Sequence, residues 1–350
     1  MAAYDGLFQT LGLSDWCDQN KTDGPMTMAE LLAQSGKKSD DTASAEPATS
    51  FWDTPFPSLD ELNQSCKSIA RTRDMTSWVE ELFLSVKDTL KFVLDPLTQP
   101  LSWALDGSLW LFQALPWFVM IPLLLLVVWA ATRSWALIGF VAVSFLFLSF
   151  IDHYVPAIQT LSIIFVCTGF CVALGVPIGI LMSRSNALQR FAIPVLDMLQ
   201  TLPTFVYLIP LIFLFSVTES KLYGIAIILY AIVPVIRLTD LGIRLVDRDV
   251  IEAADAFGMS TRQKLFGVQI PLALPNIMAG VNQTIMMSLA MVVIASLVSA
   301  PGLGVLVLRG IRNLELGVGL VSGLCIVLLA IVLDRVTKAS LSRINAAQQH

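Results

Sequence analysis

Residues 115–150 read LPWFVMIPLLLLVVWAATRSWALIGFVAVSFLFLSF, two apolar runs, Leu115 to Ala131 and Ser134 to Phe150, joined by Thr132-Arg133. Each run approaches the roughly 20 residues that a helix needs to cross hydrocarbon. So short a link makes the pair an antiparallel helical hairpin. Five more runs follow: Val155 to Met182, Pro203 to Val217, Leu222 to Leu238, Ile277 to Ser299 and Gly317 to Leu333. The second of these is short, with a start as early as Ile193. The expected fold class is therefore all-α: a polytopic membrane protein of about seven transmembrane helices.

Composition agrees. The chain is 55% hydrophobic and 14% charged, with a mean hydropathy of +0.73. A soluble domain carries about a quarter charged residues to solvate its surface, and a lipid-facing surface excludes them. The net charge of -5 belongs to the first third: up to Trp110 there are 8 Lys/Arg against 17 Asp/Glu, and beyond it 14 against 10. Nucleic acid is not an expected partner of such a chain. His153 and His350 are the only histidines, and the five cysteines form no CxxC pair, so no metal site is expected. Cys167 and Cys171 share a helix face as packing residues. For Cys17 and Cys66, free thiols are expected ahead of a disulfide.

Four regions follow. Residues 1–76 form an acidic tail rich in Ser, Thr, Asp and Gln, expected to be largely disordered, with short helices around Tyr4 to Leu13 or Met26 to Gln34. It has no basic start followed by an apolar stretch, so it is no cleavable signal. In residues 77–110, Trp78, Leu82, Phe83, Val86, Leu90, Val93 and Leu94 recur at helical spacing among charges, an amphipathic helix from Ser77 to Leu94, too polar to span. Trp103, Trp110 and Trp117 suit the headgroup level. Residues 111–335 are the transmembrane domain and 336–350 a cytoplasmic tail. With the N-terminus outside, the inner connections hold 11 Lys/Arg (Arg133, Arg184, Arg190, Arg237, Arg244, Arg248, Arg262, Lys264, Arg335, Lys338 and Arg343) and the outer ones only Lys221, Arg309 and Arg312. The N-out, C-in orientation follows.

The longest inner connection is Thr239 to Asn276. Asp249-Val250-Ile251-Glu252 is a helix start of capping-box type, and Gly258 can supply the left-handed end. Ser260-Thr261-Arg262-Gln263 repeats the start, opening a second helix that Pro271 is expected to end. Small Ala253, Ala254 and Ala256 leave a surface for close docking.

Glu252-Ala253-Ala254, then Gly258, then Val268-Gln269-Ile270-Pro271 resembles the EAA loop (EAA-x3-G-x9-I-x-L-P) of ABC importer permeases, with Val268 and Ile270 as conservative departures. The segment Asp197 to Pro210 (DMLQTLPTFVYLIP) and Ser299-Ala300-Pro301-Gly302-Leu303-Gly304 are similar to glycine betaine/proline permeases in particular. The resemblance implies an inner-membrane assembly of two permease copies, two ATPase subunits and a periplasmic substrate-binding protein. It implies that the loop, through Glu252, Ala253, Ala254, Gly258, Val268, Ile270 and Pro271, couples to the ATPase. It implies no catalytic residue and no cofactor in this chain, ATP and magnesium belonging to the partner. The lone Gly36-Lys37-Lys38-Ser39 has Leu31 where a phosphate loop needs glycine.

Intramembrane polar residues are costly, so Gln200, Thr201, Tyr207, Asn282 and Gln283 are candidates to line a path for a zwitterion, with interhelical hydrogen bonding the plainer alternative. Gln159 and Thr160 open the third run. Gly175 and Gly179, with Pro177 between, suggest close helix approach and a kink. Choline or carnitine import is the nearest alternative. An ion-gradient-driven secondary transporter would be expected to carry more mid-span charge, and a non-transporting scaffold would leave the loop unused.

Overall fold

The computed structural model describes residues 57–66 and 68–348, together with Gly12 and Cys17. The helices expected around 4–13 and 26–34 (Gly12 apart) and the Gly36 segment lie outside the described residues. All regular structure among the described residues is helical: α1 (Leu59–Ser65), α2 (Thr72–Ala114), α3 (Trp117–Thr132), α4 (Trp135–Phe150), α5 (Tyr154–Arg184), α6 (Asn186–Thr201), α7 (Leu208–Leu214), α8 (Ser220–Arg244), α9 (Arg248–Ala256), α10 (Thr261–Lys264), α11 (Ile270–Ala295), α12 (Leu303–Arg312) and α13 (Leu316–Gln348). The chain divides into two units, residues 1–88 and 89–350.

In the first unit, the described end of the acidic tail is helical and cross-linked. Asp60 Oδ1 accepts from Thr72 N at 3.0 Å, and Asn63 accepts from Arg71 Nε at 3.0 Å while donating to the Ile69 carbonyl. Cys66, at the end of α1, is disulfide-bonded to Cys17 across 49 residues. This corrects the expectation of free thiols. Two cysteines so far apart in sequence give no sign that the fold brings them together.

The second unit is centred on α8, which packs between α5 and α11. Glycine makes the close approach possible. A Cβ on Gly179 would come within 2.6 Å of Thr239 Cβ and 2.7 Å of the Ile236 carbonyl, and one on Gly175 would collide with Val235. From the other side, a Cβ on Gly280 of α11 would come within 3.0 Å of Val235 Cα. The close approach expected of Gly175 and Gly179 is therefore seen, and Pro177 lies inside an unbroken α5. Cys167 and Cys171 are buried packing residues, their thiols near the carbonyls of Gly224 and Ile228.

The apolar runs differ in how they are built, and Trp135–Phe150 is a shorter apolar helix. Four helical stretches are long and apolar enough to cross a bilayer: Tyr154–Arg184, Ser220–Arg244, Thr261–Val298 and Leu316–Arg343. Two bent pairs raise the number to six if each is one span: α2 with α3, turned by 116°, and α6 with the Thr204–Leu214 segment, turned by 104°. α3 and α4 have 16 residues each, which at 1.5 Å per residue is about 24 Å against roughly 30 Å of hydrocarbon. The run from Pro203 is not one straight helix: Leu202 and Pro203 are extended, breaking it into a 3-10 turn (Thr204–Tyr207) and the seven-residue α7, which pass as a span only together with α6. The amphipathic helix expected to end at Leu94 instead continues through Pro96 and Pro100 to Ala114. Each proline removes one donor, and the turns on either side carry the helix past it.

Candidate coupling loop and translocation path

The connection from α8 to α11 is built from local signals. α9 begins two residues earlier than its sequence suggests, since Asp247, not Asp249, is the cap: its side chain accepts from Asp249 N at 3.0 Å. Its other end closes with two bonds. Met259 N donates to the Ala254 carbonyl at 3.1 Å and Gly258 N to that of Asp255 at 2.9 Å. The geometry needs a left-handed residue, and Gly258 has φ +73°. α10 opens with the reciprocal box expected there: Ser260 Oγ accepts from Gln263 N, and Gln263 Oε1 accepts from Ser260 N. Lys264 then reaches back to both carboxylate oxygens of Asp255, at 2.6 and 2.9 Å, fixing α10 against α9.

Pro271 does not end the second helix. A π turn at Leu265–Gln269 leads directly into α11, and Pro271 stands in the first turn of α11, where a missing N–H costs little. The chain therefore runs helically from Thr261 to Val298.

The seven loop residues separate into an outer and an inner set. Glu252, Ala253 and Gly258 are exposed, whereas Ala254 is buried and Val268, Ile270 and Pro271 are half-buried at the base. Ala254 is thus a packing residue, whereas Glu252, Ala253, Ala256 and Phe257 are exposed. Phe257 is 85% exposed at the tip. Helical spacing placed it within α9 and gave no sign that it would stand clear of the protein.

Beneath the loop lies a polar network that the sequence reading missed. Asp240, only 5% exposed, accepts from Gln189 Nε2 at 2.7 Å and Arg244 Nε at 2.8 Å. The Arg244 guanidinium also donates to Asn186 Oδ1 at 2.8 Å and the Met182 carbonyl at 2.7 Å. One arginine thereby joins the ends of α5, α6 and α8. The i,i+4 spacing of Asp240 and Arg244 was the available signal. Asp197 of α6 pairs with Arg237 of α8.

The path candidates do not share one site. Gln283 and Met287 lie four residues apart on one face of α11, and Gln200 Nε2 of α6 comes within 4.0 Å of Met287 Sδ. Asn282 faces away from that side, donating to Asp334 Oδ1 of α13 at 3.2 Å. Thr201 is exposed and donates to the Met198 carbonyl. Tyr207 is buried in the 3-10 turn; its hydroxyl has no protein partner among the described residues, nor do Thr284 Oγ1 and Asn282 Oδ1. Thr160 is structural: its hydroxyl donates to the Pro156 carbonyl and accepts from Leu303 N, both at 2.9 Å, holding the start of α12. There the Ser299–Gly304 motif acquires its reason. Ser299 is left-handed at φ +73°, Gly302 has φ +121°, and a Cβ on Gly302 would strike Thr160.

Long apolar helices, a projecting capped helix pair at one end and a partly polar interior face define a multi-pass membrane transport subunit. Residues 175–346 match the family described as binding-protein-dependent transport system inner membrane component. The chain is 38% identical over 327 residues to the glycine betaine/proline betaine transport system permease protein of Escherichia coli (strain K12), covering 92% of each. It is 44% identical over 211 residues to the glycine betaine transport system permease protein of Bacillus subtilis (strain 168), covering 60% of this chain and 73% of that one. It is 38% identical over 272 residues to the glycine betaine/carnitine transport permease protein of Listeria monocytogenes serotype 1/2a (strain 10403S), covering 77% and 95%. The chain belongs to this family of ABC importer permeases: it is a membrane subunit of an inner-membrane transport system, not an enzyme, and its partners are an ATPase and a substrate-binding protein.

Proposed function

We propose that this chain forms the translocation path of an importer for glycine betaine and proline betaine, and that α9 and α10 couple it to the ATPase. The observation that carries the coupling role is the rigid projection itself. It is capped at three of its ends, tied by Lys264 to Asp255, and continuous through a π turn with α11. A partner that displaced it would displace α11, and with it the Gln283 and Met287 face. The substrate reading is supported by relatives whose names share glycine betaine. Weak dipoles such as Gln200, Gln283 and Tyr207 suit a zwitterion, which needs no counter-charge and must also be released. The functional unit is two copies of the chain with two ATPase subunits and a periplasmic binding protein, which supplies most of the specificity. The N-terminus is periplasmic: basic residues are concentrated in the opposite connections, and the Cys17–Cys66 disulfide suits an oxidising compartment. The name of the Listeria relative makes carnitine the second reading.

The test is uptake of labelled glycine betaine at high osmolality in cells lacking only this chain, with choline and carnitine in parallel. Restoration by the native chain, but not by a Glu252→Lys, Gly258→Val double variant at normal membrane levels, is expected. Unchanged betaine uptake with lost carnitine or choline uptake moves the substrate and leaves the coupling role standing. Full transport by the double variant refutes the coupling role.

A further inference from the structure

A groove of about 670 Å³ between the start of α4 and the far end of α13 has no part in that function. Ser134, Leu137 and Phe140 line it from α4, and Ile331, Arg335 and Lys338 from α13. It lies at the same end of the bundle as α9 and α10. α5 runs from His153, whose Nε2 meets Ser322 near the start of α13, to Arg184, which reaches the Thr261 carbonyl of α10. Arg343, near the other end of α13, donates to the Ala130 carbonyl at the end of α3, at 2.6 Å.

The groove is basic at its rim and apolar along its floor. Arg335 forms no ion pair among the described residues, and Lys338 is only partly balanced by Asp334 at 2.9 Å; both cations are exposed. Neighbouring cations are otherwise engaged: Arg133 stacks on Trp129 at 4.4 Å, and Arg343 is spent on carbonyls. The N-terminus of the 16-residue α4 opens into the same space, and its cap residue Ser134 makes no side-chain bond to the first turn. Those N–H groups therefore lack a side-chain acceptor and favour an anion. Trp135, between the lining residues Ser134 and Ala136 in sequence, is 77% exposed, and exposed indoles suit the headgroup level. A free anion would satisfy the cations and leave Leu137, Phe140 and Ile331 uncovered. A neutral lipid would do the reverse.

We propose that this groove binds one anionic phospholipid. Its phosphate lies between Arg335, Lys338 and the α4 N-terminus, and one acyl chain runs along Leu137, Phe140 and Ile331. The assignment of the site to the cytoplasmic leaflet rests on the N-out reading above; the ligand chemistry does not. Basic pockets between membrane helices on that side are suited to anionic headgroups.

The test is native mass spectrometry of the assembled transporter in detergent, titrated with phosphatidylglycerol or with phosphatidylcholine of the same acyl chains. Native protein is expected to retain phosphatidylglycerol at least about tenfold more strongly, and an Arg335→Gln, Lys338→Gln variant to lose that preference. Glycerol phosphate, which has the anion without the chains, should not displace the lipid, and Phe140→Ser should weaken retention of both lipids. Equal retention of the two lipids by native protein overturns the proposal, as does an unchanged preference in the double variant. Displacement by glycerol phosphate would make this a free-anion site, and retention of neither lipid would mean that another chain covers the groove; either refutes it. Should the double variant melt early, Arg335→Gln alone decides. None of these readouts depends on the transported substrate or on sidedness, so they fail independently of the uptake test.

Discussion

A Cβ on Gly179 would meet the Ile236 carbonyl at 2.7 Å, whereas around Gly258 nothing lies within 4 Å. The two glycines are needed for different reasons, and substitution can tell them apart. Gly179→Ala must part α5 from α8 and should destabilise by about 1–3 kcal/mol, read as earlier melting of the purified protein. At Gly258 only the left-handed φ of +73° resists. Gly258→Val should cost about 1–2 kcal/mol, and Gly258→Asn, which visits that region readily, distinctly less. Arg244 is a different case. Truncation to alanine leaves the buried Asp240 carboxylate with Gln189 alone, a loss of about 3–5 kcal/mol. The neutral pair Asp240→Asn, Arg244→Gln should melt later than Arg244→Ala, and equal or earlier melting would contradict this account. Sequence made Gly175, Gly179 and Gly258 legible because glycine at helical spacing, or just past a helix, has few uses. It did not reveal the Asp240 network, since three of its members come from other helices and one is a backbone carbonyl.

Among the elements, long apolar runs and capping residues were readable and interruptions were not. Pro203 and Pro271 look alike in sequence, yet one stands in an extended break and the other in the first turn of a continuing helix. What separates them is the π turn before Pro271, which depends on packing and has no sequence code. The path candidates show the same limit: polarity picked out Asn282 and Gln283 together, and helix phase puts them on different faces. Cysteine at Gln283 should react with a small aqueous thiol reagent faster than cysteine at Asn282, which is turned toward Asp334 on α13; equal rates would remove Gln283 from the path. At the loop tip, Phe257→Ser should leave melting unchanged, because the ring touches little of its own chain. The same change should weaken productive association with the ATPase by about tenfold or more, as loss of an aromatic anchor does, read as the ATPase concentration giving half-maximal betaine-stimulated hydrolysis.

For the whole molecule, the proposed N-out orientation rests on the placement of basic residues, and the disulfide adds an argument of separate origin. In intact cells, a cysteine at Ser44 should react with a membrane-impermeant maleimide, and Cys17 and Cys66 should be alkylated only after reduction; labelling confined to permeant reagents would reverse the topology. The number of spans was less legible, because hydropathy counts apolar residues and cannot see a 104° bend at Pro203. One feature is longer than the roughly 30 Å of hydrocarbon it would cross. From Thr261 to Val298 the chain is helical for 38 residues, roughly 57 Å at 1.5 Å per residue, with the loop that carries Glu252 before it and the Thr160-held turn at Gly302 after it. Such a stretch behaves as a lever arm with little slack. Its irregular points, the π turn and Pro275, both lie toward one end. If the loop couples as proposed, a stroke there reaches the opposite surface as tilt, and the two faces of the membrane are geared to each other.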